Sequence, residues 1–429
     1  MNPDNVYNEE KTLTPFVFQA NSQKELKSMI VLVINTNKDF LKFQLIRPET
    51  GTVLAKGLCN RIGPGKSTVT YQAHEKHTME IPAVTLDMKE AVNTILKILT
   101  AKKHGVIRSK DEIDAVGHRI VHGGERFSSP AFITPEIKRA IETCYELAPI
   151  HNPPSMAGIQ ACEEALPGVP QVAVFDTAFH HSMPERASMY ALPYEYYEKH
   201  GIRKYGFHGT SHAYVSRRAA QILGKPYESL RIITCHLGFG SSIAAVQNGI
   251  SIDTSMGLTP LAGLCMCTRC GDIDPAIVTF LMEKEHLDHA GIDDLMNTKS
   301  GILGISGVSA DMRDVYDAAG HGNKRASLAL DLFKYQCRRF IGAYAAAMGG
   351  VDAVVFTAGI GENAPDVRYG ACHELDFMGI ELDPYRNEAV KGREGFISTD
   401  ESPVKVLVIP TKEELVIARE TAKLCGYAV

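Results

Sequence analysis

Apolar residues gather in short runs separated by polar or glycine-rich turns. Strand-like runs occupy Met29 to Asn35, Phe43 to Arg47, Ala115 to Val121, Gln171 to Phe175, Arg231 to Leu237, Ser242 to Gln247 and Ala353 to Ala358. Stretches with helical spacing, Met88 to His104 and Leu328 to Met348, lie between several of them, and a last helix is expected from about Lys412. Strands interleaved with helices predict an α/β fold with mixed sheets flanked by helices. Val31 to Ile46 and Ile232 to Val246 share one plan, an apolar strand, a short polar or glycine turn and a returning strand. Two hairpins often look alike by chance, so this echo of duplicated lobes counts only alongside other motifs.

Length changes the picture by requiring more than one core. A chain of 429 residues predicts two lobes with a site between them. The boundary is expected near Asp176 to Pro184, where a strand ends in a polar, histidine-rich loop. This divides the chain into an N-terminal lobe, 29–180, joined by the C-terminal helix 412–429, and a C-terminal lobe, 181–411. Met1 to Ser28 is polar and lacks the apolar segment of a secretory signal, so it is read as a flexible leader, with Met29 as an alternative start. A net charge of −5 without a basic stripe argues against nucleic acid or an anionic membrane as partner. No apolar run approaches the ~20 residues that span a bilayer.

The ten cysteines lack the spacing of a disulfide framework and fit a reducing cytoplasm. Cys265, Cys267 and Cys270 sit close in sequence, but no second Cys pair or Cys/His pair completes a tetrahedral metal site, so they are read as incidental thiols.

Candidate chemistry lies at the ends of the apolar runs, where α/β folds expose their ligand loops. The segments are "GHRIVHGGERF" from Gly117, "APIHNPPSM" from Ala148, "VFDTAFH" from Val174, "KYGFHGTSHAYVS" from Lys204, "DTSMGLTPLAGLCMCTRCGDIDP" from Asp253 and "VVFTAGIGENAP" from Val354. Singly, each has a plain structural reading: a loop histidine on the surface, an aspartate capping a helix, and Gly359 to Asn363 as a turn after a strand. Together, two arginines, several histidines, an aspartate and glycine turns supply the donors that an anionic substrate and its phosphates need. Phosphoryl transfer asks a protein mainly to align donor and acceptor and to neutralise charge. No GxxxxGK[ST] occurs, so the vehicle is not a P-loop.

With these blocks assembled, the chain from about Met29 to its end resembles the acetate kinase family. The resemblance implies two lobes with duplicated actin-like ATPase (ribonuclease H-like) cores, a homodimer, and reversible ATP-dependent conversion of acetate to acetyl phosphate with Mg2+ or Mn2+. By position, Arg119 and Arg269 match the arginines that bracket the carboxylate and the transferring phosphoryl group. Val121, Ile150, Phe207 and Pro260 match the pocket for the acetate methyl, with propionate as a second substrate. His208 matches the histidine that donates to the phosphoryl group, and His151 lies beside the substrate. Asp176, Glu413 and Asn35 match residues tied to the metal and to activation, whose oxygens suit Mg2+. Lys42, His236 to Gly240 (His236, Leu237, Gly238, Phe239, Gly240), Asp311, Met312, Arg313 and Gly359 to Asn363 (Gly359, Ile360, Gly361, Glu362, Asn363) match nucleotide-binding segments.

The match departs from the family at its phosphate loops. Where the family has N-x-G-S-S-S-L-K, Asn37-Lys38-Asp39-Phe40 replaces the glycine and three serines, and Phe239 replaces the asparagine of H-L-G-N-G. Lys38 offers a compensating charge, and Asn37 retains access to a left-handed turn. Cys267, Cys270 and Ala262 replace a glycine, a serine and a glutamate near Arg269. The expected function is therefore a carboxylate phosphotransferase, with an impaired or inactive homologue that binds carboxylate or nucleotide, or a propionate kinase, as alternatives.

Overall fold

The structure, a computed structural model, describes residues 28–429 apart from 64, 66, 75–77 and 83–85. The leader expected at 1–28 lies outside the described residues except for Ser28, whose hydroxyl donates to Glu49 Oε2 at 3.2 Å.

Fourteen strands make two mixed sheets among the described residues. The first contains β1 (Val31–Thr36), β2 (Phe40–Arg47), β3 (Thr52–Asn60), β4 (Thr68–Ala73), β5 (Met79–Pro82), β6 (Ala115–Ile120), β7 (Ala131–Phe132) and β8 (Gln171–Phe175). The second contains β9 (Arg231–Leu237), β10 (Ser241–Gln247), β11 (Ile250–Thr254), β12 (Ala353–Thr357), β13 (Gly395–Phe396) and β14 (Lys405–Val408). Their orders are β5-β4-β3-β2-β1-β6-β8-β7 and β11-β10-β9-β12-β14-β13. Remove β4 and β5 and the two orders coincide strand for strand. In both, an antiparallel meander leads into three neighbouring parallel strands, and a short antiparallel strand closes the edge. The echo between two hairpins in the sequence thus extends to whole sheets.

The parallel strands read as continuous apolar runs because helices cover both of their faces. Period-two alternation then sorts each strand's side chains between the layers. Val31 and Val33 pack with Ile417, Ala418 and Ala422 of the C-terminal helix Glu413–Leu424. Leu32 and Ile34 pack on the opposite layer with Val92, Ile95 and Leu99 of the helix Met88–Leu99. In the second sheet, Val354 and Phe356 meet Phe333, Cys337 and Ile341 of the long helix Lys324–Met348, while Ala353 and Val355 face Val215 and Ala219 of the helix Gly209–Leu223.

Element boundaries shift where a polar side chain or tight turn intervenes. β2 starts at Phe40 rather than Phe43, because Asn37 N donates to Phe40 O at 2.9 Å and pairing resumes at once. The first long helix stops at Leu99, where the Thr100 hydroxyl folds back onto Leu96 O at 2.8 Å. The other begins at Lys324, because the Asn323 side chain caps the amides of Arg325 and Ala326. Gly359 to Asn363 is helix, Ala358–Asn363, not a simple turn. No helix among the described residues is long and apolar enough to cross a membrane.

One buried group gives the fold an acid-sensitive point. His118 on β6 is 2% exposed, and its Nε2 bonds Gln171 Oε1 at 2.7 Å. Burial pushes its pKa down to about 4, against the smaller opposing effect of that bond. The folded value lies below the unfolded one of about 6.5, so the unfolded chain takes up the proton first. Stability is therefore whole above pH 6.5 and is lost as pH falls from there toward 4. At pH 5 the loss from this group is about 2 kcal/mol. In urea titrations at pH 7 and pH 5, His118→Gln should lose about that much less stability than the parent. An identical pH dependence in both proteins would remove His118 as the cause.

Candidate functional site

Asn35, Arg119 and Asp176 emerge from the same ends of the adjacent strands β1, β6 and β8, where an α/β sheet places its ligands. Arg119 Nε lies 3.1 Å from both Asp176 oxygens and Nη2 lies 2.5 Å from Oδ2. Its Nη1 reaches Asn35 Oδ1 at 3.4 Å. Asp176 is fully buried, and burial raises its carboxyl above the ordinary range while Arg119 opposes the rise. Burial works against the Arg119 charge too, but Asp176 and Glu413 outweigh it and hold the guanidinium protonated. The aspartate thus fixes one edge of Arg119 and leaves Nη1 toward Asn35. Gly209 permits this approach, since its amide donates to Asp176 O at 2.9 Å and a Cβ there would lie 2.2 Å from that oxygen.

Glu413 arrives from the far end of the chain, in the first turn of the C-terminal helix. Its Oε1 is buried without a hydrogen-bond partner among the described residues, and burial, with Glu414 beside it, raises its pKa. A carboxylate oxygen so placed, near enough to Arg119 and Asp176 to act on both charges, fits a hard cation. Among the described residues no group of three or more His, Cys, Asp or Glu side chains is placed to hold a metal ion. Lys42, expected at the nucleotide, instead pairs with Glu414.

Arg269 faces this group from the second lobe. Its Nη1 donates to Pro260 O at 3.1 Å and approaches Met266 Sδ at 3.6 Å, and no carboxylate pairs with it among the described residues. Burial lowers its pKa, and the nearby charge of Arg119 adds to this. His151 is pushed down to about 3 by burial and by both guanidinium groups. His208 falls well below its ordinary value from burial, then from His236, Arg119, His212 and Arg269, while His236 drops to about 3. The His208 and His236 rings stack at 4.1 Å. Two converging cations, neutral imidazoles and no balancing protein anion at Arg269 make a gap that attracts an anion.

The second glycine loop closes on the same gap. A Cβ on Gly240 would lie 3.4 Å from both Arg269 Nη1 and His208 Nε2, so glycine lets the backbone pass between them and whatever they bind. Val121 and Phe207 form a small buried apolar cluster with Met256 and Met266. Nothing in the local sequence of Met256 or Met266 marks it for this cluster. Ile150 remains 49% exposed, outside that cluster, and Pro260 takes part through its carbonyl.

Beside Gly238 and Phe239 of the same loop lies a cavity of about 920 Å3, within the size range of small-molecule sites. Of the expected nucleotide residues, Gly238, Phe239, Asp311, Met312, Arg313, Gly359, Ile360 and Asn363 line it. Phe239 is 62% exposed and offers no donor there. Leu237 is buried in the core, Gly361 packs near Cys235 and Phe356, and His236 belongs to the stacked pair. Glu362 points inward, its Oε1 accepting from Ala358 N at 2.8 Å and Thr411 N at 3.1 Å. Tyr316, Asp366, Glu388 and Lys391 line the cavity although nothing in their local sequence marked them. Cys267 also lines it, with its thiol raised to about 11 by burial.

The first loop departs from one expectation. Asn37 is not left-handed; its Oδ1 instead accepts from Lys38 N at 2.8 Å, so the side chain closes the turn that glycine would otherwise ease. Lys38 and Asp39 are exposed, while Phe40 pairs with Asn60 in the β2–β3 ladder.

The model of the acetokinase family matches residues 30–419. The chain belongs to the acetokinase family. An acetate kinase from Alkaliphilus metalliredigens is 57% identical over 396 residues, covering 92% of this chain and 100% of that one. One from Methanosarcina mazei is 55% identical over 401 residues, covering 94% and 98%. Among solved structures, Porphyromonas gingivalis acetate kinase aligns with a TM-score of 0.89 at 49% identity, covering 92% of this chain and 100% of that one. A propionate kinase from Francisella tularensis aligns at 0.86 and 41% identity, covering 92% and 99%. Acetokinase membership thus accounts for the duplicated actin-like sheets.

Proposed function

We propose that this protein is an acetate kinase, a carboxylate phosphotransferase that moves the γ-phosphoryl group of ATP to acetate and runs the reaction in both directions. The convergence of Arg119, Arg269 and His208 on one gap at Gly240, in the same glycine loop whose Gly238 and Phe239 line the 920 Å3 cavity, carries this reading. ATP lies in the cavity with its phosphates toward Gly238 to Gly240. Acetate lies with its methyl against Val121, Phe207, Met256 and Met266 and its carboxylate toward the guanidinium groups. A carboxylate oxygen then attacks the γ-phosphorus as the bond to the bridging oxygen breaks and ADP leaves. Charge on the equatorial oxygens is met by Arg119, Arg269 and the His208 N–H, held in place before the reaction begins.

Asp176 works through Arg119, whose orientation it fixes. Glu413 and Asn35 would hold Mg2+, which when bound neutralises phosphate charge. Phe239 and the serine-free tip at Asn37 to Phe40 leave phosphate contacts to backbone amides and Lys38. Propionate is a second substrate, because one methylene changes selectivity by only about 1–3 kcal/mol and flexible methionines line the apolar cluster.

Purified protein incubated with ATP, Mg2+, acetate and hydroxylamine should yield acetohydroxamate, and propionate should yield less. Calorimetric binding of ATP or acetate without any hydroxamate would replace this reading with a binding protein.

A further inference from the structure

His208 has one nitrogen in the protein and one toward the gap. Its Nδ1 lies 2.8 Å from Ser242 Oγ, whereas its Nε2 has no hydrogen-bond partner among the described residues and flanks Gly240 beside Arg269. The contacts behind it continue inward. Ser242 Oγ lies 2.7 Å from His212 Nε2, and His212 Nδ1 lies 2.7 Å from Thr234 Oγ1. Thr234, His212 and Ser242 are all fully buried, so these groups have only one another to satisfy.

We propose that Thr234, His212 and Ser242 are positioning residues that set the His208 tautomer, keeping the proton on Nε2 and a lone pair on Nδ1. Each hydroxyl has one proton to give, and each neutral imidazole has one N–H and one bare nitrogen. Among the described residues, the Thr234 hydroxyl bonds to His212 Nδ1. If Thr234 donates there, His212 carries its proton on Nε2 and donates to Ser242. Ser242 must then donate to His208 Nδ1, and the His208 proton is left on Nε2.

The reverse arrangement starts with His208 Nδ1–H donating to Ser242 and ends with His212 donating to Thr234. That leaves the Thr234 proton buried without an acceptor, at a cost of about 1–3 kcal/mol. It also points a bare nitrogen, rather than a donor, at an incoming phosphate. A charged His212 is disfavoured by burial and by His180 and His236. The chain therefore has one low-energy polarity, and its far end is a threonine on the middle of β9 that touches no substrate.

The use to which His208 puts its proton rests on the phosphotransferase reading; the tautomer does not. Imidazole nitrogen NMR of histidine-labelled protein, with His208 signals identified by their loss in His208→Gln, should show His208 protonated at Nε2. Thr234→Val keeps the shape but removes the terminal donor. It should move His208 toward the Nδ1–H form and lower kcat roughly tenfold, the low end of what outer partners contribute when they orient a metal-bound histidine, with little change in either KM. Thr234→Ser should restore both spectrum and rate. His208 found as Nδ1–H or as a cation in the parent, or an unchanged His208 spectrum in a folded Thr234→Val variant, overturns the proposal. If the parent makes no acyl phosphate, the proposed activity fails, and the NMR comparison still decides the tautomer.

Discussion

Arg269→Ala should reduce kcat by roughly 10²–10³-fold, the range that follows loss of one preorganised transition-state donor. Its guanidinium is held by Pro260 O and Met266 Sδ, with no carboxylate among the described residues to neutralise it, so its charge remains available to an anion that forms in the gap. Burial and the nearby charge of Arg119 both oppose the charge, which places Arg269 among groups kept at a cost to the folded state. Its removal should therefore leave the unfolding midpoint unchanged or raised, separating a chemical defect from misfolding. Arg269→Lys should recover little, because a point charge cannot present two parallel N–H groups to planar oxygens. Hydroxamate formation under saturating ATP and acetate measures this directly. A folded alanine variant with the parent's kcat would remove Arg269 from the transition state.

Arg368→Met should cost about 3 kcal/mol or more of stability, as expected when several buried acceptors lose a shared charged donor. Arg368 is completely buried, and no carboxylate among the described residues lies within hydrogen-bonding contact of it. Its donors go to Asn387 Oδ1 at 2.8 Å, Gly361 O and Glu362 O at 3.0 Å, Asn387 O at 2.6 Å and Val390 O at 2.9 Å. These bonds pin the helix Ala358–Asn363, which borders the cavity, to the helix Pro384–Ala389. Burial lowers the guanidinium only to about 10, so it stays charged at neutral pH. Lysine has three donors on one atom and cannot span these separated acceptors, so Arg368→Lys should fall close to the methionine variant. Urea unfolding monitored by circular dichroism gives the free energy, and a loss below about 1 kcal/mol, typical of a surface change, would refute the pinning role. In the surviving folded protein, KM for ATP should rise more than kcat falls, because Gly359 and Ile360 line the cavity while Arg269 does not depend on them.

The two predictions differ in how far the sequence revealed their residues. Arg269 stood in a distinctive block, "CTRCGD", between glycine turns, and its chemistry was readable there. Arg368 sits in an unremarkable helix, Pro365–Cys372, and nothing in "PDVRYGAC" separates a surface arginine from one that is wholly buried. The same contrast holds for Met256 and Met266: a methionine in a loop has no periodicity, and only folding brings both against Val121 and Phe207. Asn37 shows a choice the sequence leaves open. Its side chain allows the left-handed conformation, but the folded turn uses the contact of its Oδ1 with Lys38 N instead.

By itself the sequence determined which segments must be buried strands and what chemistry stands at their ends. β8 and β9 coincide with their apolar runs because local hydrophobic pattern is a property of neighbouring residues. Arg119, Asp176, His208 and Arg269 were visible as an inventory. Only the tertiary structure decided their partners. Arg119 meets Asp176 across 57 positions, His208 meets His212 through Ser242, and Glu413 reaches the first lobe by a helix at the other end of the chain. Such pairings follow from strand order and helix packing, which depend on burying whole faces at once, and no local spacing records them.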